Sequence, residues 1–382
     1  MDGHDFIQSA IEKGAVAIIT EKAITAPSNI SIFPVSSTMT AIRNLAHAYR
    51  LTFSIPFIGV VGSVGKTTTK ELISSMLHGK YTHVLKTEGS QNGFLGIPLT
   101  ILGLTPQTEI AVIEIGIDEI GAMEQHLVLV EPTHLIVTAL GPEHLHQLKT
   151  VEIAAAEELK AFDYGLSREK KLAINLADPF VKLWFQKNSP KLLPKNFLTY
   201  EKADSSFLQL YPSPLPGEHH EHNLLGAVTL GTLIGLSKEE MQAGLKTFKT
   251  AFGRTEIHQL PNHITVIADY YNSNPTSLVA ALKLLKSKNK NHAVLGDREE
   301  SFHRGIAKEI ASLPIHSVYL YGPRMKYLLD ELQKQKFTNV YHFDSHEQLT
   351  QALKQKLQAE DQVLIKGSRG MKMETVFKLL QT

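Results

Sequence analysis

A glycine-rich stretch, GSVGK, carries residue types that can hold phosphate groups. It follows the apolar run FIGVV and precedes the helical pattern TTTKELISSMLH. Backbone N–H groups of such a turn and helix start form a cradle for anions, Lys66 adds a positive charge, and the Thr67 hydroxyl can bind Mg²⁺. The spacing differs from the strict motif, because Val60 stands where the first glycine belongs and Gly59 and Gly62 flank it. Strand, loop and helix still come in the required order, so the stretch predicts a nucleotide phosphate site.

Three polar residues stand at or just after the ends of predicted strands, where parallel α/β sheets bind their ligands. Glu114 ends the run EIAVIE, and its carboxylate can hold the Mg²⁺ that accompanies a nucleotide. His144 follows THLIVTAL, and its imidazole can bind a metal or cap a turn. Asp269 ends ITVIAD and can accept a hydrogen bond from a ribose hydroxyl. A polar residue exposed at the end of a strand is common and needs no function. We therefore interpret these three as functional only if they lie close together in the fold.

The C-terminal third adds further polar candidates. Arg254, in FGRTE, has the fixed fork of donors that suits phosphate. Asn272 and Asn274, in DYYNSNPTS, can hold a polar substrate or cap the following helix. Lys366 and Ser368, in LIKGSRGMKME, are predicted to lie in a loop after the last strand, where they form a candidate anion or carboxylate site.

Strand and helix patterns alternate along the chain, which predicts an α/β fold with a parallel, doubly wound sheet. At 382 residues the chain is longer than a single typical core. Shifts in the pattern divide it into three α/β parts, at 1–51, 52–251 and 252–382.

Composition excludes several classes of protein. Net charge is +1, from 39 Lys+Arg against 38 Asp+Glu, which gives no electrostatic case for nucleic acid as a partner. The absence of Cys excludes disulfides, thiolate metal sites and Cys nucleophiles. The polar N-terminus and the lack of a long apolar run predict a cytoplasmic protein with no membrane insertion.

The ordered motifs resemble the Mur ligase family of peptidoglycan synthesis, and within it the MurF type, which joins D-alanyl-D-alanine to UDP-N-acetylmuramoyl-tripeptide. The resemblance covers nearly the whole chain. The matching stretches are, in order, DGHDFIQSAIEKGAVAII, GVVGSVGKTTTKE, LKTEGSQNGFLGIPLTIL, IEIGIDEIGAMEQ, GPEHL, LPGEHHEHNLLGAV, FGRTEI, DYYNSNP, VLGD and IKGSRGMKME.

This resemblance implies an architecture and an activity. Residues 1–51 would be part of a UDP-sugar-binding domain, 52–251 a central ATP-binding P-loop domain, and 252–382 a C-terminal Rossmann-like ligase domain. The implied enzyme is a cytoplasmic monomer that uses ATP and Mg²⁺. ATP would phosphorylate the carboxylate of the UDP-sugar peptide, and the D-alanyl-D-alanine amine would attack the acyl phosphate.

Residue roles follow from the same resemblance. Nucleotide-binding positions are implied at Gly62, Ser63, Gly65, Lys66, Thr67, Thr68, Asn223 (adenine), Arg254 (phosphate) and Asp269 (ribose). Metal-binding positions are implied at Thr67, Glu114 and, near a second metal, His144. Substrate-binding positions are assigned to Asn272, Asn274, Pro275, Lys366 and Ser368. The catalytic residues would be Lys66, His144, Glu158 and Arg254.

Three departures from the family pattern bear on activity. The family's chain starts further upstream, so the UDP-sugar domain is predicted to be shortened and to bind its substrate weakly. Ala139 and Val64 stand where the family has Asn. Ungapped alignment from GPEHL places Glu158 where the family has a carbamylated lysine, so Glu158 would replace the charge but not the reach. Lys160, two residues on, would point to the opposite side of a helix.

Two alternatives to an active MurF-type ligase remain. One is a nucleotide-binding paralogue that performs no ligation, which Ala139 and Glu158 favour and the retained Lys66, Thr67 and Glu114 oppose. The other is a related ligase with a different acid and amine, which DGHDF and DYYNSNP oppose. A P-loop kinase or GTPase is less supported, because the sequence shows no nucleoside-monophosphate lid and no guanine-reading motif.

Overall fold

Three β-sheets organise the residues that the computed structural model describes, which are 2–296 and 300–382. A two-stranded parallel sheet lies in the N-terminal part, and a six-stranded sheet lies in each of the central and C-terminal parts. Helices connect successive strands of the large sheets, as alternating strand and helix patterns predict. The α/β fold with mainly parallel sheets is therefore confirmed. No helix in those ranges is long and apolar enough to cross a membrane.

The N-terminal part packs onto the central part through one helix. Its elements are α1 (Ile7–Glu12), β1 (Ala17–Thr20), β2 (Ser31–Pro34) and α2 (Thr38–Arg50). The Ser37 hydroxyl caps the start of α2. At the other end of α2, the buried Arg50 guanidinium donates to the carbonyls of Val130 and Glu131 and lies 3.6 Å from the centre of the Phe57 ring. Arg50 therefore fixes the first part of the chain to the central sheet.

The central sheet is parallel throughout. Its strands are β3 (Phe57–Val61), β4 (Val84–Lys86), β5 (Ile110–Glu114), β6 (His134–Val137), β7 (Lys171–Asn175) and β8 (Phe197–Tyr200). They pair in the order β4-β5-β3-β6-β7-β8. Strands β3, β5 and β6 are buried at every position. Helices cover both faces of a parallel sheet, which is why these strands read as continuous apolar runs in the sequence.

Helices cover both faces of this sheet. They are α3 (Lys66–Leu77), α4 (Gly96–Leu102), α5 (Ala122–Val130), α6 (Leu145–Leu148), α7 (Val151–Ser167), α8 (Pro179–Asn188), α9 (Ser205–Leu210), α10 (Glu218–Ile234) and α11 (Lys238–Leu245). Ile58 and Val60 of β3 pack with α3, α10 and α11 on one face. Phe57 and Val61 pack with α2, α4, α5, α7 and α8 on the other. The central part thus has two apolar layers, and α3 starts at the carboxyl edge of the sheet.

The C-terminal sheet is parallel except at one edge. Its strands are β9 (Glu256–Leu260), β10 (Ile264–Asp269), β11 (Asn291–Gly296), β12 (Ser317–Tyr321), β13 (Val340–Phe343) and β14 (Gln362–Gly367), in the order β13-β12-β11-β14-β10-β9. Only β9 is antiparallel to its neighbour in this sheet, among the described residues. The helices are α12 (Pro275–Leu282), α13 (Glu300–Ser312), α14 (Lys326–Lys334), α15 (His346–Lys354) and α16 (Glu374–Gln381).

The structure contradicts the prediction for one site residue and contains several short strands that were not predicted. Lys366 does not lie in a loop. It belongs to β14, where it pairs with Asp269 of β10 and Leu295 of β11. A lysine is tolerated inside this sheet because its ammonium meets the Asp269 carboxylate. The strands not predicted are β2, β4, β8, β9 and β13. The last four form sheet edges. None of the five has more than one buried position, so they are not the fully buried strands that read as continuous apolar runs.

Candidate active site

The glycine-rich loop joins β3 to α3 and is shaped by its neighbours. Gly62 and Gly65 have φ angles of 124° and 90°, in the region that favours glycine. A Cβ on Gly62 would lie 2.4 Å from the Thr138 hydroxyl oxygen, and one on Gly65 would lie 2.6 Å from the Asn223 side-chain oxygen. Both glycines are therefore required where they stand. Asn223 of α10, predicted to contact adenine, lies directly against this loop.

Backbone donors of the predicted phosphate cradle fall into two groups. Ser63 N and Val64 N donate to the Ala139 carbonyl at 2.8 and 3.0 Å, which anchors the loop beyond the end of β6. The N–H groups from Gly65 to Thr68 lie at the start of α3, where the helix itself supplies no acceptors and the helix dipole favours an anion. The start of α3, rather than the whole loop, is thus the part of the cradle open to phosphate.

Lys66 is surrounded by carboxylates. Its Nζ lies 3.0 and 3.2 Å from the two oxygens of Glu143 and 3.8 Å from Glu158 Oε1, and it also donates to the Gly62 carbonyl. The Lys66 side chain is buried, which disfavours the ammonium. The carboxylates of Glu143, Glu158 and Glu114 outweigh that effect, and the pKa of Lys66 is raised. Lys66 therefore stays charged at the mouth of the phosphate site.

Glu158 lies behind the glycine-rich loop and is fully buried on α7. Its Oε2 accepts a hydrogen bond from Gly62 N at 3.1 Å, while Oε1 has no hydrogen-bond partner among the described residues. Burial raises the pKa of Glu158 to about 8, although nearby Lys66 acts in the opposite direction. Lys160 points elsewhere and pairs with Glu157 at 2.7 Å. Glu158, not Lys160, is thus the α7 side chain that faces the phosphate loop.

Glu114 and Thr67 form a set of oxygen atoms suited to a hard cation. The Thr67 hydroxyl donates to Glu114 Oε1 at 3.1 Å, and Asn92 Nδ2 donates to the same oxygen at 2.8 Å. Glu114 is buried, and no residue in the described part of the chain donates a hydrogen bond to its Oε2. Mg²⁺ prefers carboxylate and hydroxyl oxygens. Lys70 Nζ lies 3.6 Å from Oε2 but makes no hydrogen bond to it, so Oε2 keeps its lone pairs for the expected metal.

His144 is less well placed for metal binding. It is exposed, and its φ of 46° puts its backbone in the left-handed region. Within residues 2–296 and 300–382 there is no group of three or more His, Asp or Glu side chains that could hold a metal by themselves. A Mg²⁺ ion at Thr67 and Glu114 would therefore need water and phosphate oxygens to complete its coordination, as Mg²⁺ commonly does.

The C-terminal part brings charged groups to the same place. Lys366 Nζ donates to Asp269 Oδ2 at 2.7 Å and to the Asn272 carbonyl at 3.0 Å. Arg254 Nη2 lies 3.5 Å from the Thr67 hydroxyl, and the guanidinium stacks 4.7 Å from the centre of the Tyr271 ring. Arg254 thus reaches across from the C-terminal part to the residue that would bind the metal.

The predicted substrate residues differ in whether their side chains are already hydrogen-bonded within the protein. Asn274 caps α12, since its side chain accepts from Ser277 N at 2.8 Å and the Ser277 hydroxyl accepts from Asn274 N. The helix-capping role proposed for it therefore holds, and Pro275 occupies the first position of that helix. The Asn272 side chain accepts a hydrogen bond from the neighbouring backbone. The Ser368 hydroxyl is buried, and no described residue hydrogen-bonds it.

One cavity of about 1250 Å³ connects these groups. It is lined by the central and C-terminal parts together. The predicted site residues in its wall are Ser63, Gly65, Lys66, Thr67, Thr68, Glu114, His144, Asn223, Arg254, Asp269, Asn272, Asn274, Lys366 and Ser368. Gly62, Glu158 and Pro275 are not part of the wall. Glu158 instead lies behind the loop, where it contacts Gly62 N and lies 3.8 Å from Lys66 Nζ.

Several residues near the site were not found from the sequence. Glu143 pairs with Lys66, Asn92 holds Glu114, and Tyr271 supports Arg254. Glu143 directly precedes the candidate His144 in GPEHL, and this position is the feature of the sequence that could have identified Glu143 as a site residue. Asn92 follows β4, a strand of three residues that is too short to recognise.

Comparisons with known proteins show which family the chain matches. The Mur ligase middle domain matches residues 60–231, and the Mur ligase glutamate ligase domain matches residues 253–369. The UDP-N-acetylmuramoyl-tripeptide–D-alanyl-D-alanine ligase of Bacillus subtilis is 30% identical over 400 residues, which cover 99% of this chain and 87% of that protein.

Solved structures show the same fold. A crystal structure of MurF from Acinetobacter baumannii has a TM-score of 0.85 at 24% identity and covers 100% of this chain and 88% of its own. MurF from Thermotoga maritima in complex with ADP has a TM-score of 0.81 at 23% identity, covering 100% and 92%. With the full-length match to the Bacillus protein, the chain belongs to the Mur ligase family and, within it, to the MurF type.

Proposed function

We propose that this protein is an ATP-dependent ligase that joins D-alanyl-D-alanine to UDP-N-acetylmuramoyl-tripeptide in peptidoglycan precursor synthesis. The observation that carries the proposal is a shared cavity in which the Lys66 loop of the central part faces Arg254 and the Asp269–Lys366 pair of the C-terminal part. The Bacillus subtilis relative bears the name of this activity. The Thermotoga maritima neighbour contains ADP, which supports ATP as the co-substrate.

The proposed reaction has two steps. A carboxylate oxygen of the UDP-linked peptide attacks the γ-phosphorus of ATP, and ADP leaves. The amine of D-alanyl-D-alanine then attacks the acyl carbon, the bond from carbon to the phosphate oxygen breaks, and the amine loses a proton. Phosphorylation is needed because oxide or hydroxide is a poor leaving group from a carboxylate. Lys66, Arg254 and the start of α3 would stabilise negative charge on the transferred phosphoryl group.

Mg²⁺ is proposed as the resident metal, with Thr67 and Glu114 as its protein ligands. The support is the Glu114 Oε2 atom, which is buried and accepts no hydrogen bond from the described residues, while the Thr67 hydroxyl lies 3.1 Å from the other oxygen of the same carboxylate. Once bound, the ion would neutralise charge on the phosphate oxygens. His144 is kept as a candidate near a second metal, and Glu158 as a candidate replacement for the family's carbamylated lysine.

The remaining assignments are proposed on the same basis. Asn223 would contact adenine, and Asp269 would contact ribose. The incoming amine substrate is assigned to the segment that bears Asn272 and Asn274. The division into domains at 1–51, 52–251 and 252–382 is supported by the three separate sheets. We place the enzyme in the cytoplasm, because its substrates include ATP and a nucleotide-linked sugar, and as a monomer, because one chain supplies both sides of the cavity.

Phosphate release measured with each combination of substrates tests this proposal. ATP, UDP-N-acetylmuramoyl-tripeptide and D-alanyl-D-alanine together should give rapid release, because ATP is consumed only to activate a bound carboxylate. Omitting either co-substrate should remove most of the turnover. Vigorous hydrolysis of ATP with Mg²⁺ alone, unchanged by either co-substrate, would contradict the ligase function.

One observation favours a second candidate, a protein that binds nucleotide without ligation. Glu143 and Glu158 both lie within 4 Å of Lys66 Nζ, and Glu143, which lines the cavity, competes with phosphate for it. ADP binding without phosphate release in the complete substrate mixture would support this candidate. A different acid or amine that restores release would instead support a related ligase.

A further inference from the structure

A second buried lysine lies one turn after Lys66 and has no part in the proposed chemistry. Lys70, on α3, has a relative exposure of 0%. An ammonium is rarely buried unless several partners surround it, because leaving water is costly for a charge. The groups that surround the Lys70 ammonium therefore indicate its role.

The Lys70 ammonium holds a loop and faces two carboxylates. Nζ donates to the carbonyls of Thr87 and Gly89 at 2.6 and 2.8 Å. It also lies 3.0 Å from Glu71 Oε1 and 3.6 Å from Glu114 Oε2. An ammonium has three protons. Two are taken by the carbonyls, and the third is directed toward the carboxylates.

Those carbonyls belong to the segment 87–92, which follows β4 in the connection to α4. The other end of this segment is tied to the same carboxylate, because Asn92 Nδ2 donates to Glu114 Oε1 at 2.8 Å. The Thr87 hydroxyl also accepts a hydrogen bond from Glu114 N at 3.0 Å. The loop and Glu114 are thus held as one unit, with Lys70 in contact with both.

The same segment faces the cavity. Ser90 and Asn92 line it together with Thr67 and Glu114. The Ser90 hydroxyl is buried and lacks a hydrogen-bond partner in the part of the chain that the structure describes. An unpartnered hydroxyl in a cavity wall is available to a ligand. The segment 87–92 therefore offers a polar contact beside the proposed metal ligands.

Neutralising Glu71 does not by itself explain Lys70. Glu71 already has a cation, because Lys86 Nζ lies 2.6 Å from its Oε2 at the edge of the sheet. What distinguishes Lys70 from Lys86 is contact with the loop 87–92 and with Glu114. This difference makes Lys86 a matched control for any test of Lys70.

We propose that Lys70 is a positioning residue that couples the metal-binding carboxylate Glu114 to the cavity-lining loop 87–92. It orients Glu114 toward the cation and fixes the loop against the acyl substrate, the UDP-linked peptide. Without the ammonium, the Glu114 carboxylate and the loop 87–92 both lose the contact that fixes their positions. The proposal rests on the function given above, in that Glu114 binds Mg²⁺ and the cavity takes an acyl substrate.

The test measures two binding equilibria in the full-length protein. Calorimetry follows ADP binding at graded Mg²⁺ concentrations, and then UDP-N-acetylmuramoyl-tripeptide binding with a non-hydrolysable ATP analogue present. In Lys70→Met, which keeps length but loses charge, we expect the Mg²⁺ midpoint to rise about tenfold, the size seen when the support of a metal ligand is removed. Affinity for the UDP-linked peptide should fall by a similar factor. Lys86→Met should match the parent in both.

Several outcomes would overturn the proposal. Parent-like values for Lys70→Met in both measurements would show that the ammonium positions neither group, and a change in only one would disprove the coupling. If the parent binds ADP with the same affinity at every Mg²⁺ concentration, Glu114 does not bind a Mg²⁺ ion that accompanies the nucleotide. If the parent binds Mg²⁺ and ADP but not the UDP-linked peptide, the substrate assigned to the enzyme is wrong. The Mg²⁺ titration of Lys70→Met still tests whether Lys70 positions Glu114.

Folding is checked by thermal unfolding of each variant. Should Lys70→Met lack a cooperative transition, the charge-balanced pair Lys70→Met with Glu71→Gln takes its place in both titrations. Failure of both variants to fold would assign Lys70 to the stability of the central part and overturn its positioning role.

Discussion

Glu143 lies with both carboxylate oxygens 3.0 and 3.2 Å from the Nζ atom of Lys66. The lysine expected to meet ATP phosphates is thus already paired with a group that repels phosphate. Glu143 lines the cavity, whereas Glu158, the second carboxylate near Lys66, is fully buried behind the loop. An incoming nucleotide can displace Glu143 from Lys66 but cannot reach Glu158.

Removing the charge of Glu143 should strengthen nucleotide binding. In Glu143→Gln the phosphates no longer compete with a carboxylate for Lys66. We therefore expect ADP affinity to rise about fivefold, which corresponds to about 1 kcal/mol of binding free energy. Calorimetry with ADP and Mg²⁺ measures it. Glu124→Gln is the control, because Glu124 is exposed and pairs with Lys160 away from the loop. Weaker binding in Glu143→Gln would instead show that Glu143 helps to hold the cation.

Lys66→Ala should abolish turnover. The ammonium is the charged group nearest to the phosphate cradle, and loss of such a donor typically lowers kcat by about 100-fold or more. Because the substitution leaves Glu143 and Glu158 without their cation, we also expect a lower melting temperature. Phosphate release and thermal unfolding measure the two effects. Lys80→Ala, in the exposed turn that follows α3, is the control. Parent-like rates in Lys66→Ala would refute the phosphate assignment.

Glu158→Gln should change the pH dependence of stability. The folded pKa of Glu158 is about 8 and its ordinary value is 4.5, so the folded state binds the proton more tightly than the unfolded state. The parent should therefore lose stability as pH rises from about 4.5 to about 8, because the buried carboxylate must ionise. Glu158→Gln should lack this loss. The difference in free energy of unfolding should be small at low pH and reach a plateau above the folded pKa.

Urea unfolding at a series of pH values measures that difference. Glu152→Gln serves as the control, since Glu152 lies on the exposed first turn of the same helix. A difference between parent and Glu158→Gln that is constant with pH would mean that Glu158 ionises normally.

Bicarbonate should have no effect on activity. Carbamylation needs a lysine, and the α7 side chain that contacts Gly62 N is Glu158. We expect equal rates of phosphate release in bicarbonate-free and bicarbonate-supplemented buffer. Glu158→Gln should slow release most above about pH 8, where the parent carboxyl is ionised and the variant lacks its charge. Stimulation of the parent by bicarbonate would point to carbamylation of another residue.

Arg254→Lys should slow the reaction without unfolding the protein. Lysine keeps the charge but loses the planar fork that reaches Thr67 and stacks on Tyr271. We expect kcat to fall about tenfold or more, with little change in melting temperature. Arg168→Lys, which alters an exposed arginine at the end of α7, should retain the parent's rate. An unchanged kcat in Arg254→Lys would place Arg254 outside the reaction.

Much of the local structure could be predicted from sequence because its causes are local. The buried strands β3, β5 and β6 are continuous apolar runs, and the glycine-rich loop stands between a strand and a helix. Asn274 precedes Pro275 in a pattern that caps a helix, and it does so. Edge strands such as β4 and β13 escaped prediction because they are short and only partly buried. For Lys366, the pattern could not show that a neighbouring strand supplies Asp269 to neutralise it.

By itself, the sequence determined the order of strands and helices, the phosphate loop and the polar residues at strand ends, since each depends on neighbours along the chain. Only the tertiary structure decided which of those residues meet. Lys66 and Glu143 are 77 residues apart, Asp269 and Lys366 are 97 apart, and Thr67 is 187 residues from Arg254. Such contacts arise when parallel strands bring their carboxyl ends to one edge and two sheets face each other, and no short-range pattern records that arrangement.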